Sequence, residues 1–288
     1  MVQKNTNVSG FASVDMSAFK KYKFPIPPLE IQQEIVKILD AFTELNTELN
    51  TELKARKKQY EYYQNMLLDF KDIHQNHKDA KERLAHKPYP KRLKTLLQTL
   101  APKGVEFRKL GEVLEYDQPN QYCVTSKEFD KSYPTPVLTA GKTFILGYTN
   151  EKDNIYQASK NAPVIIFDDF TTATQWVDFP FKVKSSAMKI LFSKNPTINI
   201  RFIFFYMQTI PYNIGGEHAR HWISRYSQLE VPIPPLEIQQ EIVKILDQFS
   251  ILTTDLLAGI PAEIEARKKQ YEYYREKLLT FKPLQNKE

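Results

Sequence analysis

Residues 25–40 and 232–247 are the same sixteen residues, PIPPLEIQQEIVKILD. A second shared run follows each copy, ARKKQYEYY at 55–63 and again at 266–274. Beyond it, Leu67, Leu68 and Phe70 correspond to Leu278, Leu279 and Phe281. A chain that writes one segment twice builds one structural unit twice, so the repeat organises the fold. Each copy opens on Pro-Ile-Pro-Pro, which has no place inside a helix because proline lacks the N–H and fixes φ. The proline lead is therefore extended, and a helix begins near Leu29 and Leu236. Ile35, Ile38, Phe42, Leu45 and Leu49 then follow at steps of three and four, the heptad rhythm of a coiled-coil seam. Tyr60 and Tyr63 resume it. Ile242, Ile245, Phe249, Leu252 and Leu256 repeat the steps in copy two, with Tyr271 and Tyr274 beyond. The first shared runs are offset by 207 positions and the second by 211, so copy two gains four residues. A gain of four nearly preserves a helix's buried face. Gly259 and Pro261 lie in that stretch, and they predict a second helix kinked or interrupted near 259–261.

The segments around the copies divide the rest. Residues 71–103 hold nine Lys and Arg against three acids and little apolar pattern before Leu93, which predicts a basic linker with a short helix. Residues 104–231 predict a globular α/β domain. Its apolar run 163–167 and the run 187–192 read as buried strands, and the aromatic-rich 197–209 as a buried helix. Residues 1–24 weakly match the segment just before copy two, and so predict the C-terminal remnant of another such domain. The predicted divisions are thus 1–24, a first spacer helix at 25–70, the linker at 71–103, the globular domain at 104–231, a second spacer at 232–282 and a tail at 283–288. The class is α+β.

The chain has 288 residues, no long apolar run for a membrane span and no apolar leader after Met1. Cys123 is the lone cysteine, so no internal disulfide can form. These features predict a cytoplasmic protein that does not enter a membrane. The net charge of +6 is compatible with an anionic partner and does not require one.

Catalytic constellations fail on spacing. Ala140-Gly141-Lys142-Thr143 looks like the end of a phosphate-binding loop, but Pro136 stands where that motif's first glycine belongs. There is no Gly-rich loop with an Asn/Asp-Pro-Pro-aromatic tetrapeptide, as an adenine methyltransferase would carry. Asp168 and Asp169 with Lys182 and Lys184 do not form the acid-x-Lys pair of a metal-dependent nuclease, and the plainer reading is that the aspartates end a strand and cap a turn. His218 and His221 beside Glu217 are too few for a metal site, and none is predicted. His74 and His77 read as solvated linker residues. What remains is the chemistry of binding. Arginine, lysine, histidine and hydroxyl side chains in polar clusters can hold phosphate or read base edges. The candidates for DNA contact are Lys142, Thr143, Thr171, Thr172, Lys182, Lys184, Ser185, Ser186, His218, Arg220, His221 and Arg225. The same clusters also suit ordinary polar loops. On residues alone, a coiled-coil adaptor that binds protein and a stand-alone nuclease stay open beside the DNA reader.

A resemblance narrows this. The Pro-Ile-Pro-Pro-Leu-Glu-Ile-Gln-Gln-Glu-Ile-Val leads, residues 263–275, Gly104-Val105-Glu106-Phe107 with Lys109-Leu110-Gly111-Glu112, Thr139-Ala140-Gly141-Lys142 with Gly147-Tyr148-Thr149, and residues 165–172 resemble the specificity subunit of type I restriction–modification systems. That resemblance implies target-recognition domains alternating with spacer helices that pair as an antiparallel coiled coil. It implies double-stranded DNA as ligand and, as partners, a methylation subunit and a restriction or translocation subunit. S-adenosylmethionine, ATP and Mg belong to those partners; this chain is expected to bind no cofactor and to catalyse nothing. The family carries two recognition domains. This chain shows one, so it looks like a half-length form that pairs with a second copy or with another half-subunit to read a bipartite site.

Overall fold

The computed structural model describes residues 6–7, 13–14, 16–74, 79–139, 143–211 and 220–281, with the side chains of 6–7, 13–14, 18 and 252–261 excepted. In chain order these hold β1 (Thr6–Asn7), β2 (Ser13–Val14), α1 (Met16–Phe19), α2 (Leu29–Leu68), α3 (Ala80–His86), α4 (Lys91–Leu100), β3 (Glu106–Lys109), α5 (Leu110–Val113), β4 (Leu114–Asp117), β5 (Thr135–Leu138), β6 (Ile145–Thr149), β7 (Val164–Asp168), β8 (Thr174–Val177), β9 (Lys182–Val183), β10 (Met188–Ser193), α6 (Ile200–Met207), β11 (Glu230–Ile233) and α7 (Leu236–Leu279). Two compact units are present, Met1–Arg56 with Thr254–Glu288, and Lys57–Thr253; both boundaries fall inside the long helices α2 and α7.

The predicted helix starts are present in both copies, and for a visible local reason. The Gln32 Nε2 donates to the Pro27 carbonyl at 2.6 Å, and Gln239 Nε2 donates to the Pro234 carbonyl at 2.7 Å. Each glutamine therefore folds back over its own proline lead and closes the first turn. The expected interruption of the second helix is absent: α7 runs from Leu236 to Leu279 through Gly259 and Pro261. A proline inside a helix removes one hydrogen bond and costs about 3 kcal/mol. Propagation from strong helix formers on both sides outweighs that single loss, because renucleating a helix is harder than continuing one.

In the unit of residues 57–253, three small sheets surround two apolar clusters. The largest has strand order β4-β10-β7-β8, antiparallel throughout. β5 pairs antiparallel with β6 and parallel with β9, and β11 pairs with β3. The predicted strands at 163–167 and 187–192 are β7 and β10, and the predicted aromatic helix is α6. Asn199 caps α6 by accepting from the backbone N–H groups of Arg201 and Phe202. Phe202, Ile203, Phe204, Phe205 and Met207 are all buried, as a helix apolar on most faces requires.

The stretch at 71–103 is not a linker. Ile73, Leu84, Tyr89, Leu93 and Leu97 are buried in the same core as Phe202, Trp222, Ile238 and Ile242. The charges lie on the outer sides of α3 and α4. The Lys87 ammonium pairs with Asp69 at 2.6 Å, and the Tyr89 hydroxyl donates to the Asp69 carbonyl. His74 is half-buried and stacks on Phe107 with ring centroids 4.6 Å apart, so it is not a free linker residue. His77 lies outside the described residues. The compact unit is thus larger than the predicted domain of 104–231 and takes in the ends of both long helices. Gln64 on α2 donates to the Phe205 carbonyl and to Gln208, and Arg201 pairs with Asp247 on α7 at 2.8 Å.

The helix seam follows the heptad reading with a few departures. In the unit of 57–253, Tyr63 stacks on Phe249 at 5.0 Å, with Tyr60 and Ile245 half-buried and Ile242 fully buried. In the other unit, Phe42 stacks on Tyr274 at 5.6 Å and meets Tyr271 edge-on at 6.4 Å. The helices are antiparallel, since the partner number rises as the residue number falls. Ile35 is buried there, and Ile38 and Leu49 are half-buried. Leu45 is exposed, against expectation, because a two-helix seam covers only a narrow stripe. The side chains of Leu252 and Leu256 lie outside the described residues.

Candidate nucleic-acid interface

Three chain segments leave the main sheet at one end, and a fourth joins them there. β4 ends at Asp117 and leads to Gln118. β7 ends at Asp168 and turns through 169–173 into β8. β10 begins at Met188, opposite Asp168, after the segment 184–187. The segment 220–222 joins them, because the N–H of His221 donates to the Asp169 carbonyl and that of Trp222 to the Asp169 carboxylate, both at 2.9 Å. The second sheet brings a fifth: the Lys184 N–H donates to the Leu138 carbonyl, so the turn after β5 departs beside Lys184.

The turn from β7 to β8 has a definite construction. One Asp168 carboxylate oxygen accepts from the N–H groups of Phe170 and Thr171, and the other accepts from the Thr171 hydroxyl at 2.6 Å. This is the strand-ending aspartate that the sequence predicted. Thr172 follows at φ 60°, in the left-handed region that a β-branched residue adopts only under strain. Asp169 turns inward instead. It is buried beside Lys189, whose Nζ lies 3.6 Å from its carboxylate.

Most described candidates come together here. Thr171, Thr172, Lys184, Ser185, Ser186 and Arg220 lie on the converging segments, with Thr171, Lys184, Ser185 and Arg220 exposed. Thr143 is exposed in the neighbouring turn, where its carbonyl accepts from the Thr139 hydroxyl. Arg225 is exposed four residues past His221. Two candidates are misplaced as contacts. Lys182 is only 3% exposed, paired with Glu151 at 2.8 Å and donating to the Asp153 carbonyl. It points inward from β9, whereas Lys184 has left the strand. His221 is buried, and its backbone N–H ties the segment to Asp169. Lys142 and His218 lie outside the described residues. The sequence reading missed Gln118, Lys189 and the buried role of Asp169. A lysine inside the apolar run 187–192 was the available signal.

Electrostatics separate the buried cations from the surface ones. Burial raises the pKa of the Glu151 carboxyl, but hydrogen bonds from Lys182, Ser126 and Thr125 more than reverse this, leaving it at about 2. Burial lowers that of Lys189, Asp169 raises it, and Arg220 lowers it again. Lys184, Arg220 and Arg225 are exposed cations, unlike the buried Lys182 and Lys189. Such a surface suits phosphate and base-edge contacts.

Residues 2–58 and 102–266 match the family model described as the type I restriction modification DNA specificity domain. The chain belongs to that family. Over 188 residues it is 54% identical to the specificity subunit of the type I restriction enzyme EcoR124I/EcoR124II of Escherichia coli, covering 62% of this chain and 45% of that protein. It is 30% identical over 288 residues to a putative type I restriction enzyme specificity subunit of Haemophilus influenzae, covering 94% and 66%. The chain thus spans about half to two thirds of these family members. In fold it is similar to the S subunit of a type I restriction–modification system from M. genitalium, with a TM-score of 0.55 at 15% identity, covering 98% of this chain and 69% of that one.

Proposed function

We propose that this chain is a non-catalytic specificity subunit that reads one DNA half-site through the loops at the end of the β4-β10-β7-β8 sheet. The convergence of Thr171, Lys184, Ser185, Ser186 and Arg220 from separate segments onto one face carries the reading. Arg220 and Arg225 suit phosphate or guanine, Lys184 suits phosphate, and the hydroxyl groups suit either bases or backbone. The long helices scaffold a methylation subunit and a restriction subunit. Those partners use S-adenosylmethionine, ATP and Mg, and the assembly works in the cytoplasm. Among the described residues no helix is long and apolar enough to cross a membrane.

A bipartite site needs a second reading domain. In support, the first repeat copy leaves Phe24, Ile26, Leu29 and Ile31 exposed, while their counterparts Val231, Ile233, Leu236 and Ile238 are buried or half-buried beneath the recognition domain. The same apolar surface calls for the same kind of cover. A second copy of the chain or another half-subunit supplies it, and a homodimer reads an interrupted palindrome by symmetry.

The test is binding to duplex DNA across a salt series. The affinity should fall as salt rises, and Lys184→Ala should reduce the log–log slope by about one for a single phosphate contact. An affinity indifferent to salt would leave the protein-binding adaptor as the better reading.

A further inference from the structure

We propose that the buried Lys189–Asp169 pair is a positioning device for sequence discrimination: it holds four loops in one register, and telling one DNA sequence from another depends on it more than folding or bulk DNA affinity does. The inference rests on the DNA-reading role proposed above and adds the residues that set its accuracy.

The pair is out of place as a mere stabiliser. Lys189 is 2% exposed on β10, between Met188 and Ile190, both fully buried. Bringing two charges out of water carries a desolvation cost that their attraction must first repay, and apolar residues of similar size often stabilise as well or better. What the pair does that apolar residues could not is tether. The Lys189 ammonium donates to the Gln118 side-chain carbonyl. The Gln118 amide then donates to the Ser186 carbonyl at 2.7 Å. The Asp169 carboxylate accepts from the Trp222 N–H at 2.9 Å. Its backbone carbonyl accepts from the His221 N–H, and its N–H donates to the Ala187 carbonyl. The two side chains thus link Gln118, the turn from Asp169 to Thr172, and Trp222, while Gln118 and the Asp169 backbone carry the tether on to Ser186–Ala187 and His221. These are the segments that bring Thr171, Ser185, Ser186 and Arg220 to the surface. The ammonium also lies over the Tyr116 ring at 4.8 Å, which fixes its approach to the loops. Base readout requires donors and acceptors placed to a fraction of an ångström, whereas phosphate attraction tolerates looser placement. Loosening the tether should therefore erode discrimination first.

The test uses the full chain carrying Lys189→Met together with Asp169→Asn. Methionine keeps most of the lysine stem, and asparagine keeps an acceptor for the Trp222 N–H. The probe is a duplex DNA library with randomised positions, selected on the protein and sequenced. The native chain should enrich a defined sequence. The double variant should hold mixed-sequence DNA with affinity within about twofold and an unchanged salt slope, while its enrichment falls on the order of tenfold, the scale of one base contact. A double variant that enriches the same sequence as strongly as the native chain overturns the proposal. A native chain that enriches nothing overturns the DNA-reading role instead, and amide hydrogen exchange then judges the tether alone. In the double variant, residues 118–123, 169–173, 184–187 and 220–222 should exchange faster together while β7 and the rest of β10 keep their protection. Faster exchange in only one segment, or in none, overturns it. Should the double variant fail to fold, Gln118→Ala cuts one tether: exchange should rise at both 118–123 and 184–187, and a rise confined to 118–123 overturns the proposal.

Discussion

Ile31 is 45% exposed, while Ile238, the same residue of the same sixteen, is fully buried. At the far end of the repeat the contrast reverses. Leu68 and Phe70 of copy one are 3% and 1% exposed, whereas Leu279 and Phe281 of copy two are 49% and 38% exposed. The glutamines tell the same story at finer grain. Both Gln32 and Gln239 bond back to their proline lead, but Gln239 also accepts from the Asn199 N–H at 2.8 Å and donates to the Thr197 carbonyl. Identical sequence therefore gives identical helix starts and different burial. Local structure is written in the repeat; burial is decided by what folds around it, and the recognition domain folds around the start of one copy and the end of the other.

The sharpest way to break this comparison is to cut the same side chain in both copies. Ile238→Ala should destabilise the unit of 57–253 by about 2–5 kcal/mol, while Ile31→Ala should cost less than about 0.5 kcal/mol. Urea unfolding of the full chain reads both, and equal losses would mean that the two copies share one environment. Next in size, Gln239→Ala should cost about 1–3 kcal/mol because it leaves the Asn199 N–H unsatisfied. Gln32→Ala removes only the local bond, so it should cost well under half as much in the same assay.

A third test compares the sheets. The Glu151 carboxyl has its pKa held at about 2, below the ordinary 4.5. A group with a depressed folded pKa contributes stability that is full above the unfolded value and is lost as pH falls through the folded one. The melting temperature should therefore drop between about pH 4.5 and pH 2, and Glu151→Gln should remove this component of the drop while lowering stability at neutral pH. The smallest effect belongs to Thr172. Glycine adopts φ 60° without strain, so Thr172→Gly should leave stability equal or raise it by up to about 1 kcal/mol, offset in part by the greater freedom of glycine in the unfolded chain. A clear loss of stability would show that the threonine's contacts outweigh its strain.

The parts legible in the sequence were those with local causes. Proline leads, heptad steps and the apolar runs of β7, β10 and α6 each announce themselves within a dozen residues. The stretch at 71–103 misled because its buried residues, Leu84, Tyr89, Leu93 and Leu97, are diluted by cations that occupy only the outer faces. Pro261 misled because breaking a helix is a local tendency, and here the flanking turns overrode it. In the site, Asp168 was readable because its partners are two and three residues away. Lys182, Lys189 and Asp169 were not, because the groups that bury or pair them, Glu151, Gln118 and Trp222, are distant in the chain. Which lysine faces water is a long-range fact.

The ring contacts of the long helices carry one more consequence. Phe42 of copy one meets Tyr274 of copy two, and Phe249 of copy two meets Tyr63 of copy one. By the repeat alignment these are the same pair of positions with their owners exchanged. Each copy therefore contains both halves of a single adhesive motif, a phenylalanine near its beginning and the tyrosine that receives it near its end. A surface of that kind is self-complementary in the antiparallel sense: each copy offers the other the same ring that it receives.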